Sequence, residues 1–388
     1  MIPQKFKKLV NMTTHLKSRN ASWNLDNSKN KNIYFSNPVA TLLEDKDGKS
    51  FVIRKGKKTH LRGTLLANID KQLKKGFYAC GYFSYEFNQE INKPFKYRAI
   101  FNIYKGLSFN PPKLPIVYEK KLVLRKRTSD TTFLAGVKKA KQYIKNGDIY
   151  QINLSREFEF DKVKNPYNLF LKYYKAQPVE YGAFFDFHDH ALVSGSMELF
   201  LRKNGNLITT RPIKGTARLG SKDDKNLKKN LKETSENLMI VDLMRNDLSQ
   251  ICTTGSVKTE KLFRKKSYST LVQLESEIQG NLKRHIKNEE VFSRLMPPGS
   301  VTGTPKSRAK KIINEIEKHT RGPYCGALGY FGPSGDFCFS VGIRLALIEK
   351  NSSKFYTGAG IVWDSKASKE NTETILKSKA FKQSIKVK

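Results

Sequence analysis

Alternation of apolar and polar residues is the clearest pattern along this chain. From residue 150 to 155 one set of alternate positions is apolar and the other wholly polar: Tyr150, Ile152 and Leu154 against Gln151, Asn153 and Ser155. Successive side chains of a strand point to opposite faces, so this stretch predicts a strand whose polar face meets solvent or lines a polar cavity. Similar patterns predict further strands at about 181–187, 191–195 and 198–210.

A second alternation runs from residue 338 to 348. Its apolar positions are Phe339, Val341, Ile343, Leu345 and Leu347, and its other positions are Ser340, Gly342, Arg344 and Ala346. Arg344 is therefore the one charge on a face of small residues. Because a guanidinium offers a planar fork of donors to a carboxylate, this face is a candidate anion site.

Helical spacing of apolar residues marks four other stretches. They begin at Ser129 or Asp130, at about residue 223, at Thr304 and at about residue 368. The first can end at Gly147, and the third pairs a threonine N-cap with Pro305 at the first helical position. Strands in runs, with helices between them but no regular βαβ alternation, predict an α+β protein with mainly antiparallel sheets.

Three prolines, Pro111, Pro112 and Pro115, mark a candidate linker. We therefore predict an N-terminal region over 1–118 that packs on a catalytic domain over 119–388. Within the N-terminal region, the aromatic and glycine-rich stretch 76–86 predicts a buried strand and turn.

The formal net charge of +37 raises the possibility of nucleic-acid binding. The lysines, however, are spread over the whole chain without one long basic block, and no helix-turn-helix, zinc-finger or RNA-recognition signature is present. We favour a lysine-rich solvated surface that steers anionic substrates, and keep a basic nucleic-acid-binding protein as the alternative of another class.

The chain contains four cysteines and no Cys-x-x-Cys pair, which indicates neither a zinc site nor a disulfide scaffold. The N-terminal residues lack an apolar signal region, and no run of eighteen apolar residues predicts a membrane span. Together these features predict a cytoplasmic protein without a membrane partner.

Lys214 is the first candidate catalytic residue. It follows a strand-like run and stands between Ile213 and Gly215, and the missing side chain of the glycine lets a ligand approach closely. A lysine held in this way can be a nucleophile. In a lysine-rich chain it can equally be an ordinary surface residue, and the motif alone does not choose.

The closing helix places Glu370, Glu373 and Lys377 at i, i+3 and i+7, on one face. This spacing is typical of an ion-paired solvated surface. It also suits Mg²⁺, which takes one or two carboxylates together with substrate oxygens and waters. Glu236 and Glu233 are both candidates for a further carboxylate, and helix periodicity does not choose between them.

Several longer motifs resemble the chorismate-utilising enzymes, in order and in spacing. They are SGSMELF (194–200), PIKGT (212–216), ENLMIVDLMRNDL (236–248), PGSVTGTPK (298–306), GIR (342–344) and GAGIV (358–362). The resemblance covers about 125–385, and the family includes anthranilate, aminodeoxychorismate, isochorismate and salicylate synthases. It implies a mainly antiparallel two-sheet β-sandwich flanked by helices.

The resemblance also implies a role for each matching position. Glu236 and Glu373, with Glu370 close by, match the family's Mg²⁺ carboxylates, and Glu198 matches a general acid/base near the ring hydroxyl of chorismate. The positions that match substrate-binding groups are Arg344, Tyr324, Gly358, Ala359, Gly360, Lys377, Thr216 and Gln151. Chorismate is a dianion, so cations and a metal are what its site requires.

Two positions separate the members of the family. Isochorismate and salicylate synthases resemble each other in a lysine base where this chain has Gln151, and a neutral amide cannot activate water in that way. Lys214 stands where anthranilate synthases usually have alanine and aminodeoxychorismate synthase component I has lysine. The resemblance therefore implies component I of an aminodeoxychorismate synthase, with anthranilate synthase component I as the alternative.

The implied reaction needs ammonia. No Gly-x-Cys-x-Gly elbow of a glutaminase is present, so we expect ammonia from a separate glutamine amidotransferase subunit. The chain departs from the family at Gln273, where many relatives have histidine. Its N-terminal part is short for the family, which leaves a tryptophan pocket in doubt.

Overall fold

We describe a computed structural model of the chain, which covers residues 20–25, 31–89, 95–110, 122–268 and 271–385. The proline-rich linker and the boundary predicted between residues 118 and 119 lie outside these ranges. The division into two domains therefore stays a prediction.

The first strands in chain order belong to the N-terminal region. They are β1 (Asn20–Leu25), β2 (Lys31–Ser36), β3 (Ala40–Asp45), β4 (Ser50–Arg54), β5 (Lys57–His60), β6 (Tyr78–Phe83) and β7 (Tyr97–Tyr104).

The remaining strands follow residue 122. They are β8 (Leu124–Arg127), β9 (Gln151–Asp161), β10 (Tyr181–Asp186), β11 (His190–Ser196), β12 (Leu199–Asn204), β13 (Leu207–Arg211), β14 (Ile213–Arg218), β15 (Lys258–Ser267), β16 (Leu271–Asn281), β17 (Gly303–Thr304), β18 (Ala327–Phe331), β19 (Phe337–Val341), β20 (Leu345–Glu349) and β21 (Ser352–Ile361).

These strands form two sheets in which neighbouring strands run antiparallel. The 9-stranded sheet has the order β17-β9-β21-β20-β11-β10-β1-β2, with β8 on β9. The 12-stranded sheet has the order β14-β16-β13-β12-β19-β18-β6-β7-β3-β4-β5, with β15 on β16. This confirms the predicted α+β fold with a two-sheet antiparallel core.

The helices flank the sheets. They are α1 (Leu65–Leu73), α2 (Asp130–Lys145), α3 (Pro166–Ala176), α4 (Lys222–Asn226), α5 (Leu231–Ile251), α6 (Asn288–Leu295), α7 (Lys306–Ile316), α8 (Ala367–Lys377) and α9 (Lys379–Ile385). Ser129 caps α2 as predicted, because its side chain accepts a hydrogen bond from the amide of Thr132.

One continuous apolar core joins the two sheets and draws on strands from both ends of the chain. Phe83 of β6 stacks on Phe292 of α6 with ring centroids 4.4 Å apart, and it meets Phe339 of β19 at 5.6 Å. Tyr82 of β6 also hydrogen-bonds His190 of β11, 3.0 Å away, across the sheets. The strands of the N-terminal region therefore pack in the same apolar core as the later strands.

Three local predictions were wrong in detail. The helix predicted over about 223–251 is interrupted at 227–229 by a 3₁₀ turn before α5 begins. Thr304 is not an N-cap, because it belongs to β17 and Pro305 takes the capping position of α7. Tyr150 does not share the buried face of Ile152, since it lies just outside β9 and is 63% exposed.

The alternation over 338–348 was also interpreted too simply. It spans two strands, β19 and β20, which are separated by a break at residues 342–344. Arg344 lies in this break with a φ of 51°, a left-handed conformation that is uncommon for a residue with a side chain. Arg344 therefore does not share a strand face with the small residues.

No helix in the described part of the chain is long and apolar enough to cross a membrane.

Candidate active site

A cavity of about 560 Å³ opens where β14, at the edge of the 12-stranded sheet, meets α5, α8 and β21. Most residues predicted for the site line it: Glu198, Lys214, Thr216, Glu236, Tyr324, Arg344, Gly358, Gly360, Glu370, Glu373 and Lys377. The other two predicted residues, Ala359 and Gln151, are not among the lining residues, and the amide of Gln151 lies next to the lining residue Gly360. Ala359 is buried in the apolar core, because alternate residues of β21 face opposite ways.

A β-bulge presents Lys214. The register between β14 and β16 shifts between Lys214, which pairs with Leu274, and Thr216, which pairs with Gln273. The extra residue is Gly215, whose φ of 78° favours glycine. A Cβ there would also lie 3.2 Å from Oε2 of Glu233, a tight contact that adds to the preference of the bulge for glycine.

Gly360 leaves open the space between Lys214 and Gln151. A Cβ at Gly360 would lie 3.5 Å from Nζ of Lys214 and 3.3 Å from Nε2 of Gln151. Both side-chain polar atoms of Gln151 are buried and have no hydrogen-bond partner among the described residues. Buried polar groups are normally paired, so this amide beside Lys214 is suited to contact a ligand.

Glu198 lies in the turn between β11 and β12 and is 5% exposed. Burial raises the pKa of its carboxyl to about 7, although a hydrogen bond from Ser300 and the charge of Lys214 act in the opposite direction. A carboxyl with a pKa near neutrality can both give and accept a proton, which suits general acid/base chemistry.

Helices α5 and α8 bring carboxylates together across the cavity. Nζ of Lys232 on α5 lies 3.8 Å from Oε1 of Glu236 and 4.0 Å from Oε1 of Glu370. Burial raises the pKa of Glu236 and of Glu370, and the neighbouring Glu373 adds to the effect at Glu370. One positive charge is therefore shared between two carboxylates, which marks a position where a cation is stabilised.

Glu373 and Lys377 form an ion pair within α8, with Nζ of Lys377 2.5 Å from Oε1 of Glu373. The same ammonium donates to the carbonyl of Gly358 over 2.8 Å and so ties α8 to β21. Burial acts to raise the pKa of Glu373, but the charges of Lys377, Lys214 and Lys232 outweigh it and hold the pKa below its ordinary value.

Arg344 and Tyr324 complete the wall beside Gly358. Nη1 of Arg344 donates to the carbonyl of Lys377 over 3.3 Å, and a guanidinium has five N–H donors in all, so others are available to a carboxylate. A Cβ at Gly358 would lie 2.7 Å from Oη of Tyr324. Glycine at this position therefore lets the tyrosine hydroxyl reach the strand.

The glutamate carboxylates that line the cavity can bind a hard cation only together with ligands from substrate or water. In the part of the chain that the structure describes, no three His, Cys, Asp or Glu side chains converge to hold a metal by themselves. Glu236 and Glu370, which share the Lys232 ammonium, fit the pattern of Mg²⁺, with two carboxylates and the rest from substrate and water. Both Glu233 and Glu236 line the cavity, so either can supply the further carboxylate for a metal ion.

Sequence reasoning missed several lining residues. Ser300 lies inside the motif at 298–306, but only the fold shows that it meets Glu198. Thr357 precedes the glycines of β21, and its buried hydroxyl has no partner among the described residues. Lys232 had the clearest available signal, since it stands four residues before Glu236 on a helix.

Residues 104–383 match the family model of the chorismate binding enzymes. This match covers well over half of the chain, and the chain belongs to that family. The fold agrees with two solved structures. Anthranilate synthase component I from Streptococcus pneumoniae has a TM-score of 0.78 at 23% identity, covering 96% of this chain and 94% of that one. The menaquinone-specific isochorismate synthase from Escherichia coli has a TM-score of 0.72 at 16% identity, covering 98% and 90%.

Curated relatives are similar to this chain over about two thirds of its length. Anthranilate synthase component 1 of Saccharolobus solfataricus is 35% identical over 65% of this chain and 61% of its own length. That of Aquifex aeolicus is 37% identical over 65% and 52%. Aminodeoxychorismate synthase component 1 of Bacillus subtilis is 34% identical over 65% and 55%. The matches thus span about half to three-fifths of the relatives' lengths.

Proposed function

We propose that this protein is component I of an aminodeoxychorismate synthase, which converts chorismate and ammonia to 4-amino-4-deoxychorismate for 4-aminobenzoate and folate synthesis. The observation that carries the proposal is the position of Lys214. Its ammonium lies in the wall of the cavity, acts electrostatically on Glu198, Glu236 and Glu373, and approaches Gly360 from one side while the amide of Gln151 approaches it too.

The cavity can hold a dianion of the size of chorismate. Its cations stand on separate elements, with Arg344 after β19, Lys377 on α8 and Lys214 on β14. Two substrate carboxylates can therefore be held at different points while the ring lies between them. The hydroxyl of Tyr324 and the backbone at Gly358 and Gly360 add polar contacts on the β21 side.

In the proposed reaction the neutral amine of Lys214 attacks C2 of the ring. The ring double bonds shift, the bond from C4 to its hydroxyl breaks, and Glu198 donates the proton with which this hydroxyl leaves as water. The Glu198 carboxylate then accepts the proton released by the new amine. Ammonia adds at C4 and the bond between C2 and Lys214 breaks, while Glu198 returns its proton to the leaving amine of Lys214. The Glu198 carboxylate then accepts a proton from the new ammonium at C4, which gives 4-amino-4-deoxychorismate and regenerates the neutral lysine.

Glu236, Glu370 and Glu373 are the residues that would hold Mg²⁺. A bound Mg²⁺ would supply positive charge to a substrate carboxylate. Lys232 and Lys377 contribute positive charge beside the same glutamates.

Anthranilate synthase component I is the second candidate, since the relatives in Saccharolobus solfataricus and Aquifex aeolicus carry that name. Such an enzyme would add ammonia directly at C2, with no covalent lysine step. For either reaction we propose chorismate as substrate, a separate glutamine amidotransferase as the source of ammonia, and a cytoplasmic location.

The test is incubation of the purified protein with chorismate, Mg²⁺ and ammonium, with products identified by mass. We expect aminodeoxychorismate, and an adduct of chorismate on the peptide that contains Lys214 when ammonium is omitted. Lys214→Ala should abolish both, and any residual amination should move to C2. Anthranilate from the unmodified protein would establish the second candidate, and no turnover of chorismate would reject both.

The matched control is Lys203→Ala. Lys203 lies on β12 and donates to the carbonyl of Gly335, away from the residues that line the cavity. The Lys203→Ala substitution removes a lysine of the same sheet, and it should leave both the product and the rate of its formation unchanged.

A further inference from the structure

Arg156 is a buried cation outside the cavity. It lies on β9, is 0% exposed and packs between two rings, with its guanidinium carbon 5.0 Å from the centre of Phe133 and 5.7 Å from that of Phe158. Bringing a guanidinium out of water is unfavourable unless its hydrogen bonds are well satisfied. The hydrogen-bond partners of Arg156 therefore indicate which structural role the buried guanidinium has.

The guanidinium divides the donors on Nη1 and Nη2 between two helices, whereas its buried Nε has no hydrogen-bond partner among the described residues. Nη1 donates to Oδ1 of Asn371 over 3.0 Å and to Oγ1 of Thr374 over 3.3 Å, both on α8. Nη2 donates to the carbonyl of Thr128 over 2.9 Å and to Oδ1 of Asp130 over 2.7 Å, at the start of α2. Because the fork is planar and rigid, it fixes the two helices relative to each other and to β9.

The partners on α8 are immediate neighbours of cavity residues. Asn371 follows Glu370 and Thr374 follows Glu373, so each is rotated by about 100° around the helix from a carboxylate that lines the cavity. Rotation or sliding of α8 would move the Arg156 partners and both carboxylates together. The bonds to Arg156 therefore hold the part of α8 that carries Glu370 and Glu373, and the bond from Lys377 to Gly358 holds its end.

We propose that Arg156 is a positioning residue for the active site, which orients α8 and with it Glu370, Glu373 and Lys377. A buried ion pair is often no more stabilising than apolar residues of the same volume, so stability alone does not account for this arrangement. The consequence for chorismate binding rests on the proposed function, whereas the ordering of α8 does not.

The test compares two variants that each remove one partner of the same guanidinium. Asn371→Ala removes one of the two bonds to α8 and leaves the bond to Thr374, and Asp130→Asn weakens the charged bond to α2 and leaves the bond to the Thr128 carbonyl. We expect both to lower the melting temperature. Only Asn371→Ala should weaken chorismate binding measured by calorimetry, by about two- to tenfold, which is the range for one hydrogen bond. Arg156→Lys keeps the charge but loses the fork, and should weaken chorismate binding as Asn371→Ala does.

Amide hydrogen exchange gives a readout that does not depend on the ligand. Asn371→Ala and Arg156→Lys should speed exchange in α8 more than in the strands, while Asp130→Asn should affect the start of α2. Equal effects of Asn371→Ala and Asp130→Asn on α8 exchange and on chorismate binding would overturn the proposal. If the unmodified protein fails to bind chorismate, the proposed function fails, and faster α8 exchange would still support the positioning role.

Discussion

At the scale of single residues, the site depends on groups whose charge state the fold sets. Glu198 is the clearest case, because burial raises its pKa to about 7 while Lys214 and Ser300 stand next to it. A carboxyl in this state is useful for proton transfer. It also makes the folded state sensitive to pH.

The first prediction concerns stability and Glu198. The ordinary pKa of its carboxyl is 4.5 and the folded pKa is about 7, so between these values the folded state binds a proton that the unfolded state has released. The contribution of Glu198 therefore becomes less favourable as pH rises through this window, by up to about 3 kcal/mol. Glu198→Gln should raise the melting temperature at pH 8 relative to the unmodified protein and should change it little at pH 4.5, while abolishing turnover.

The comparison between the two pH values is its own control, since a packing effect of the amide would act at both. An equal rise in melting temperature at pH 4.5 and pH 8 would show that the Glu198 carboxyl is not destabilised by ionisation.

At the scale of elements, α5 and α8 supply the carboxylates and β14 supplies the lysine. Helix α5 presents both Glu233 and Glu236 to the cavity. Glu236 shares Lys232 with Glu370 of α8, whereas Oε2 of Glu233 lies close to the bulge at Gly215. The two glutamates therefore serve different neighbours although they are one helical turn apart.

The second prediction separates these two glutamates. Glu236→Gln should weaken Mg²⁺ binding measured by calorimetry with chorismate present, by at least about tenfold, because it removes a charged oxygen ligand. Glu233→Gln is the matched control and should change Mg²⁺ affinity much less, because Oε2 of Glu233 lies against the bulge at Gly215. If the larger loss follows Glu233→Gln, the carboxylate that matches the family's metal ligand has been assigned to the wrong residue.

At the scale of the whole molecule, each of the two sheets contains strands from before residue 111 and strands from after residue 121. β1 and β2 extend the 9-stranded sheet, and β6 joins β18 within the 12-stranded sheet. The family match begins at residue 104, yet Phe83 packs on Phe292 and Phe339 inside the matched region. The strands before residue 104 thus contribute to the stability of the part that carries the cavity.

The third prediction tests this shared core. Phe83 is 0% exposed, and Phe83→Ala should lower the free energy of unfolding by about 3–5 kcal/mol, in one cooperative transition that includes the active site. Leu262→Ala, at a residue 45% exposed on β15, should change it by less than about 1 kcal/mol. Denaturant unfolding followed by tyrosine fluorescence and by loss of turnover measures both. Separate transitions for the two signals would contradict a single core.

Local patterns were sufficient for much of the fold, because periodicity and capping depend on neighbours along the chain. The alternation at Ile152 and Leu154, the cap at Ser129 and the face that joins Glu370, Glu373 and Lys377 all follow from residue spacing. The alternation of apolar and polar residues led to a wrong prediction at Arg344. A break between two strands at a residue with positive φ does not disturb this alternation, so the sequence pattern does not reveal it.

By itself the sequence determined the α+β class, the family and eleven of the residues that line the cavity, because each is carried by a local motif. Only the tertiary structure decided which neighbours those residues contact and how deeply they are buried. Three features arise between distant segments: the burial that raises the pKa of Glu198, the shared ammonium of Lys232, and the Gln151 amide near Lys214, which has no hydrogen-bond partner among the described residues. Solvent exclusion and electrostatics act through space, so no pattern along the chain reports them.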